Sequence, residues 1–341
     1  MMAHRSILFW LLFLLPSLLL VTMVLSVNIG ATGLHFDALW RGGDDADASM
    51  AWLVLTQIRA PRVVMASLTG AALGASGAIM QGLFRNPLAD PGLIGISAGA
   101  GLAAACVIVL GSASGFSILS SVWAVPAAGV LGSFGATLTL YLFATREGIT
   151  SITHILLAGV AFGTLAAALT GVLVFRANDT ALRDLTFWTM GSFAGSTWPR
   201  IGILSPFLMA ATAGVIWLAG PLNAMLLGEG DARLMGYPVE RVKTVGMLTV
   251  ACAVGPAVAF TGVIGFIGVV VPHLVRLITG PDHRLVLPGS VLLGAVLLTG
   301  ADTLARTLAS PADVPVGIVT AILGTPVFIW LLARTHDGVG V

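Results

Sequence analysis

Residues 245–278 read VGMLTVACAVGPAVAFTGVIGFIGVVVPHLVRLI, with one permanent charge, Arg276, near the end of the stretch. A bilayer core about 30 Å thick is crossed by about 20 helical residues, so this run is too long for one crossing. Pro256, Gly262, Gly265, Gly268 and Pro272 interrupt it, and a break near Gly262 divides it into a full span and a shorter one.

Outward from that stretch, apolar runs occur at roughly 7–27, 63–83, 93–111, 118–143, 152–175, 201–220, 285–308 and 314–333. With the divided run they make ten helices. The chain of 341 residues is 57% hydrophobic and 9% charged, with a mean hydropathy of +1.01. A soluble domain carries about 25% charged residues, and no water-soluble core of this length could hide so much apolar surface. The expected fold is an all-α polytopic membrane protein, one transmembrane domain over 1–341. Arg5 precedes the first run, but that run exceeds the about 7–15 residues of a signal peptide and no A-x-A site follows, so a retained span is expected. A net charge of +1 gives no basic surface for nucleic acid, and Cys106 and Cys252 sit in apolar runs as small hydrophobes.

An even number of spans puts both termini on one side, read as cytoplasmic. The inside segments then carry Arg5, Arg85, Arg146, Arg233, Arg241, Lys243, Arg284 and Arg334, with Arg276 close by. The outside segments carry Arg41, Arg59, Arg62, Arg176, Arg183, Arg200 and Arg306. The positive-inside bias is slight, and the arginines kept outside are the unusual feature. An outside loop at 31–58 bears Asp44, Asp45 and Asp47, and Leu185–Phe193 reads as a short interfacial helix. The inside loop 221–243 holds a helix-like stretch, Leu227–Tyr237. No G-x-x-x-x-G-K-[ST] loop occurs, so this chain is not expected to bind and hydrolyse ATP itself, and no enzyme activity is expected here.

Three motifs stand in order along the chain. The first runs from Arg59-Ala-Pro-Arg62 through Gly70, Gly74, Gly77, Gln81 and Arg85-Asn-Pro-Leu-Ala-Asp-Pro91 to Gly95 and Gly99. Gly70 and Gly74, like Gly95 and Gly99, lie one helical turn apart and permit close helix packing. Asn86-Pro87 and Asp90-Pro91 mark a tight turn, after which Pro91 can start the next helix. The second motif is Gly262 to Arg276 with Pro272-His273, and the third is Pro315 to Gly324-Thr-Pro326. Together they resemble the permease subunits of the ABC importers for iron–siderophores, haem and cobalamin (FecCD-like), over nearly the whole chain.

The resemblance implies a homodimer in a bacterial cell inner membrane, two ATP-binding cassette subunits below it and a periplasmic substrate-binding protein above. It implies ATP-driven alternating access with no permanently bound cofactor and no metal. Haem is the first expected cargo, from Leu93-Ile-Gly-Ile-Ser97 and Ser310-Pro-Ala-Asp-Val-Pro315, with ferric siderophores and cobalamin as alternatives. By resemblance, Arg59, Arg62 and Arg306 receive carboxylates of the binding protein, a task that suits the planar guanidinium fork. Gly228, Glu229, Ala232, Met235 and Gly236 belong to a coupling helix for the ATPase, in which Gly230 weakens the first turn. Gly159, Gly163, Thr164 and Thr170 line the pathway. Asp302 is placed to pair with Arg306 at i,i+4. His4, His283 and His336 fall in cytoplasmic segments and His35 in an outside loop; with His154 and His273 they show no metal-ligand spacing. The rival readings, an ion-coupled secondary transporter and an intramembrane enzyme, need midplane ionisable groups or a nucleophile–base pair, which the sequence does not display.

Overall fold

The computed structural model describes residue 7 and residues 9–30, 46–114, 121–310 and 312–336. Asp44, Asp45, Arg41, His35, Arg5 and His4 lie outside the described residues, as do the side chains of Asp47, Arg334 and His336. Helix α1 is Trp10–Asn28. Residues Ala46–Leu53, a π-helical stretch Val54–Arg59 and α2 (Ala60–Phe84) run on as one rod, so the second half of the expected 31–58 loop is helical. A 3₁₀ turn at Pro91–Ile94 leads to α3 (Ile96–Ser114) and α4 (Ala124–Ala144). A short antiparallel hairpin, β1 (Thr145–Arg146) with β2 (Ile149–Thr150), pairs Thr145 with Thr150 and leads to α5 (Ile152–Arg176). Then follow α6 (Asp179–Thr189), α7 (Trp198–Leu227), α8 (Glu229–Leu234), α9 (Val239–Thr261), α10 (Ile267–Thr279), α11 (His283–Leu308) and α12 (Val316–His336).

Among the described residues seven helices are long and apolar enough to cross a membrane: α1, the rod ending in α2, α4, α5, α7, α9 and α11. Three shorter apolar helices, Ile96–Gly111 within α3, α10, and Val316–Trp330 within α12, account for the rest of the expected ten. The break near Gly262 falls between α9 and α10. Gly262 has φ +75°, and a Cβ there would lie 2.0 Å from the Trp188 carbonyl oxygen, so only glycine fits. Three boundaries differ from expectation. Helix α7 continues through Pro221 to Leu227, which shortens the 221–243 loop. Helix α6 starts at an Asn178 cap, whose Oδ1 accepts from the Ala181 N–H at 2.8 Å, well before residue 185. Phe193, expected at the interface, is wholly buried in the core. Asp90 caps the 3₁₀ turn through the Gly92 N–H at 2.7 Å; burial pushes its carboxyl above the ordinary value, and that hydrogen bond partly opposes the rise.

Helix α2 is the buried axis of the bundle, packed chiefly on α11, α10 and α9. A Cβ on Gly70, Gly74 or Gly77 would lie 2.2, 2.1 and 1.7 Å from the carbonyl oxygens of Gly294, Ser290 and Gly268. Gly99 and Gly132 make the same approach between α3 and α4 at 2.3 Å. Close approach of this kind drives helix association where the solvent is as apolar as the side chains. Gly77→Ala should therefore push α2 off α10 and cost about 1–3 kcal/mol. Gly202→Ala in α7, with no atom within 4 Å of the new Cβ, should be neutral or slightly stabilising. Thermal denaturation of the two detergent-purified variants checks the contrast.

Candidate functional site

The polar side chains gather at the two ends of the bundle, one marked by arginines and the other by the β-hairpin and α8. At the arginine end, Arg59 Nη1 donates to the carbonyls of Val27 and Asn28 at 2.9 and 3.0 Å. Arg306 Nη2 donates to Ser26 O and Oγ at 2.9 and 2.7 Å. The last carbonyls of a helix lack intrahelical partners and carry partial negative charge, so two arginines cap α1. Arg62 grips Asp302 through Nε and Nη2, with contacts of 3.1 and 2.9 Å, and reaches Asp313 with Nη1 at 2.9 Å. Arg306 Nε lies 3.3 Å from Asp302, so the expected Asp302–Arg306 pair exists, but Arg62 makes the stronger contact.

The three arginines proposed from the sequence are thus brought together, yet they do not stand open. All are buried, and the donors described here point into the chain. The two aspartates differ sharply: the Asp302 side chain is 1% exposed and that of Asp313 is 45% exposed. Nothing in sequence spacing ties Asp313 or Ser26 to these arginines; Asp313 stood only within the Ser310–Pro315 stretch.

At the hairpin end, α8 spans six residues rather than the whole of Leu227–Tyr237, because Gly228 (φ +126°) and Gly236 (φ +86°) bound it tightly. Gly230 lies in its first turn. Ala232 is wholly buried, while Leu234 is 88% exposed and Met235 is exposed beside it. Glu229 accepts from Lys243 Nζ at 2.8 Å. Lys243, counted from sequence as a loop charge, is buried in α9 and also donates to Thr150 O at 2.8 Å. Glu240 accepts from the Thr150 N–H and from Arg233 Nη2, both at 2.9 Å. Beside this cluster a hollow of about 380 Å³ is lined by Ile149, Arg233, Tyr237 and Arg241.

Nearer the bundle axis, Asn223 Nδ2 donates to Asp282 Oδ1 at 2.6 Å, and the His283 N–H donates to Asn223 Oδ1 at 2.7 Å. His283, expected in a cytoplasmic segment, is fully buried where it clips α11 to α7. Burial acts to raise the Asp282 carboxyl, but the Asn223 amide and the Arg284 N–H outweigh it and hold the group below its ordinary value. Gln81 and Arg276, from two different motifs, touch each other between α2 and α10. Cys106 and Cys252 are free and half-buried. Among the described residues no His, Cys, Asp and Glu cluster could hold a metal.

The four residues expected along the pathway do not share a face. Gly159 is packed against the Leu93 carbonyl, 2.0 Å from where a Cβ would stand. Thr164, five residues on and so turned by about 140°, is exposed and donates to its own helix at Val160 O, 2.9 Å. Gly163 and Thr170 are partly exposed on the side nearer Gly159. Gly159 is packed against Leu93, and Thr164 is the one of the four that helical phase sets apart.

A closed bundle of about ten apolar helices, with charge confined to its ends and one short exposed helix at α8, is the build of a transport permease. The chain belongs to the FecCD transport family, whose pattern matches residues 18–334, and it is the permease component of an ABC importer. It is 42% identical over 323 residues to the hemin transport system permease protein HmuU of Yersinia pestis, covering 94% of each chain. It is 41% identical over 325 residues to the vitamin B12 import system permease protein BtuC of Klebsiella pneumoniae, covering 95% of this chain and 94% of that one. A solved chain described as the inward-facing conformation of an ABC transporter assigned to the metal-chelate type superposes with a TM-score of 0.84 at 30% identity, covering 95% of this chain and 98% of that one.

Asp302→Ala would leave Arg62 and Arg306 buried without their carboxylate and should cost about 3–5 kcal/mol. Asp313→Ala removes a half-exposed partner and should cost no more than about 1 kcal/mol. Unfolding midpoints of the two variants, compared side by side, check the ranking.

Proposed function

We propose that this chain, acting as one permease domain and as a homodimer, carries haem or a similar iron chelate into the bacterial cytoplasm. Two ATP-binding cassette subunits engage the hairpin end, a periplasmic binding protein engages the arginine end, and both termini are cytoplasmic. The observation that carries this reading is the near end-to-end match with a hemin permease, joined to the polar build of the two ends. Vitamin B12 permeases match almost as well, so cobalamin is the second reading and ferric siderophores the third.

ATP hydrolysis belongs to the partner subunits. Their closure moves the two copies of α8, the permease halves reorient about the dimer axis, and cargo passes without covalent chemistry. Gly228, Glu229, Ala232, Met235 and Gly236 form the coupling element, with Leu234 as its apolar tip. Gly163 and Thr170, which share one side of α5, face the pathway in the dimer. An ion-coupled cycle finds no support, since Asp302, the acid best placed for it, is held by two guanidinium groups.

For docking, the burial of Arg59, Arg62 and Arg306 narrows the entry point to Arg62 Nη1, whose partner Asp313 is the exposed member of the cluster. A binding-protein carboxylate replaces Asp313 there. Reversing all three arginines together would break the α1 cap as well as docking, so Asp313 is the better probe. Asp313→Asn should tighten binding-protein affinity up to about fivefold, the worth of one exposed ion pair; titration of the binding protein against the complex in nanodiscs measures it, and unchanged or weaker binding argues against the exchange. In proteoliposomes holding permease and ATPase, with the binding protein outside, haem uptake should require ATP and stop when the ATPase site is disabled. Cobalamin uptake in place of haem selects the second reading. Uptake by the permease alone on an ion gradient overturns the class.

A further inference from the structure

Two side chains of α9 hold both main-chain groups of one residue in the hairpin. Glu240 accepts the Thr150 N–H at 2.9 Å and Lys243 donates to the Thr150 carbonyl at 2.8 Å. The same two side chains hold α8: Lys243 to Glu229 at 2.8 Å and Glu240 to Arg233 at 2.9 Å. Lys243 is 4% exposed on its side chain, and all three of its protons are directed at oxygens, the third to Glu240 at 3.4 Å.

Its consequence follows from connectivity. Thr150 ends β2, and the next residue, Ser151, is the cap of α5, its Oγ 2.8 Å from His154 Nδ1. The Ser151 N–H also donates to Ala144 O at 3.1 Å, and the Thr145 and Thr150 hydroxyls meet at 3.0 Å. The hairpin is therefore stiff and joins α4 to α5 with no slack. Helix α5 itself packs mainly on α3, α4 and the 3₁₀ turn, so it has little direct contact with the helices that flank α8.

We propose that Glu240 and Lys243 relay displacement of α8 through Thr150 to the start of α5, making them positioning residues for energy transfer. The sealed Lys243 suits this role because it cannot leave Glu229, Glu240 and the Thr150 carbonyl without standing unpaired in the interior, so the elements it links move together. The relay rests on the reading that α8 meets the ATPase.

The test uses the full complex of permease, ATPase and binding protein in proteoliposomes. Glu240→Ala combined with Lys243→Met removes both grips on Thr150 without leaving a lone charge. Co-purification with the ATPase and ATP hydrolysis should be retained, while cargo moved per ATP falls about tenfold. Unchanged cargo per ATP overturns the relay. Should the double variant fail to assemble, a second measurement leaves the cluster intact: spin labels at the exposed positions Ile149 and Arg241, with Cys106 and Cys252 replaced by Ser. The relay requires the same label separation in nucleotide-free and ATP-trapped states, and a changed separation overturns it. Cross-linking from Leu234→Cys to the ATPase judges the α8 reading separately. Its failure removes that reading, while the label separation still decides whether hairpin and α9 travel together.

Discussion

Backbone contact between α2 and its neighbours is the constraint on which the rest of this bundle depends. Carbonyl oxygens of Gly294, Ser290 and Gly268 stand where side chains of α2 would begin. Among lipid tails no hydrophobic force favours helix against helix, so packing distance decides which helices associate. The seam fixes α2 in depth and rotation at once. That placement sets Arg62 against Asp302 at one end and Gln81 against Arg276 toward the other.

Charge in this molecule is used by environment more than by residue type. Asp302 and Asp313 both meet Arg62, yet one is sealed and the other half exposed. The sealed carboxylate is structural, because its removal strands two cations; the exposed one can be lost at small cost. The hairpin end follows the same division. Lys243 is enclosed and holds three elements together, whereas Arg233 and Leu234 face outward.

Hydropathy made the ten apolar segments legible, and Gly262 with Pro272 located the break in the longest run. Glycines one turn apart at Gly70 and Gly74 pointed correctly to helix contact. What remained hidden depended on distance along the chain or on which way a helix turned. No local pattern joins Arg62 to Asp313 or Asn223 to His283, since each pair meets only after the bundle closes. Burial of Arg59 was illegible for a related reason: its partners are main-chain carbonyls of α1, which have no sequence signature. Gly159 and Thr164 shared a composition suited to a pathway, but helical phase separates them.

The Arg62–Asp302 contact spans 240 positions of the chain, and a chain is made from its N-terminus. Arg59 can find the α1 carbonyls as soon as the first two helices exist. Arg62 cannot be neutralised until α11 has been synthesised, and an unmatched cation is costly inside hydrocarbon. During translation, then, Arg62 stays without this carboxylate until the last third of the nascent chain supplies it.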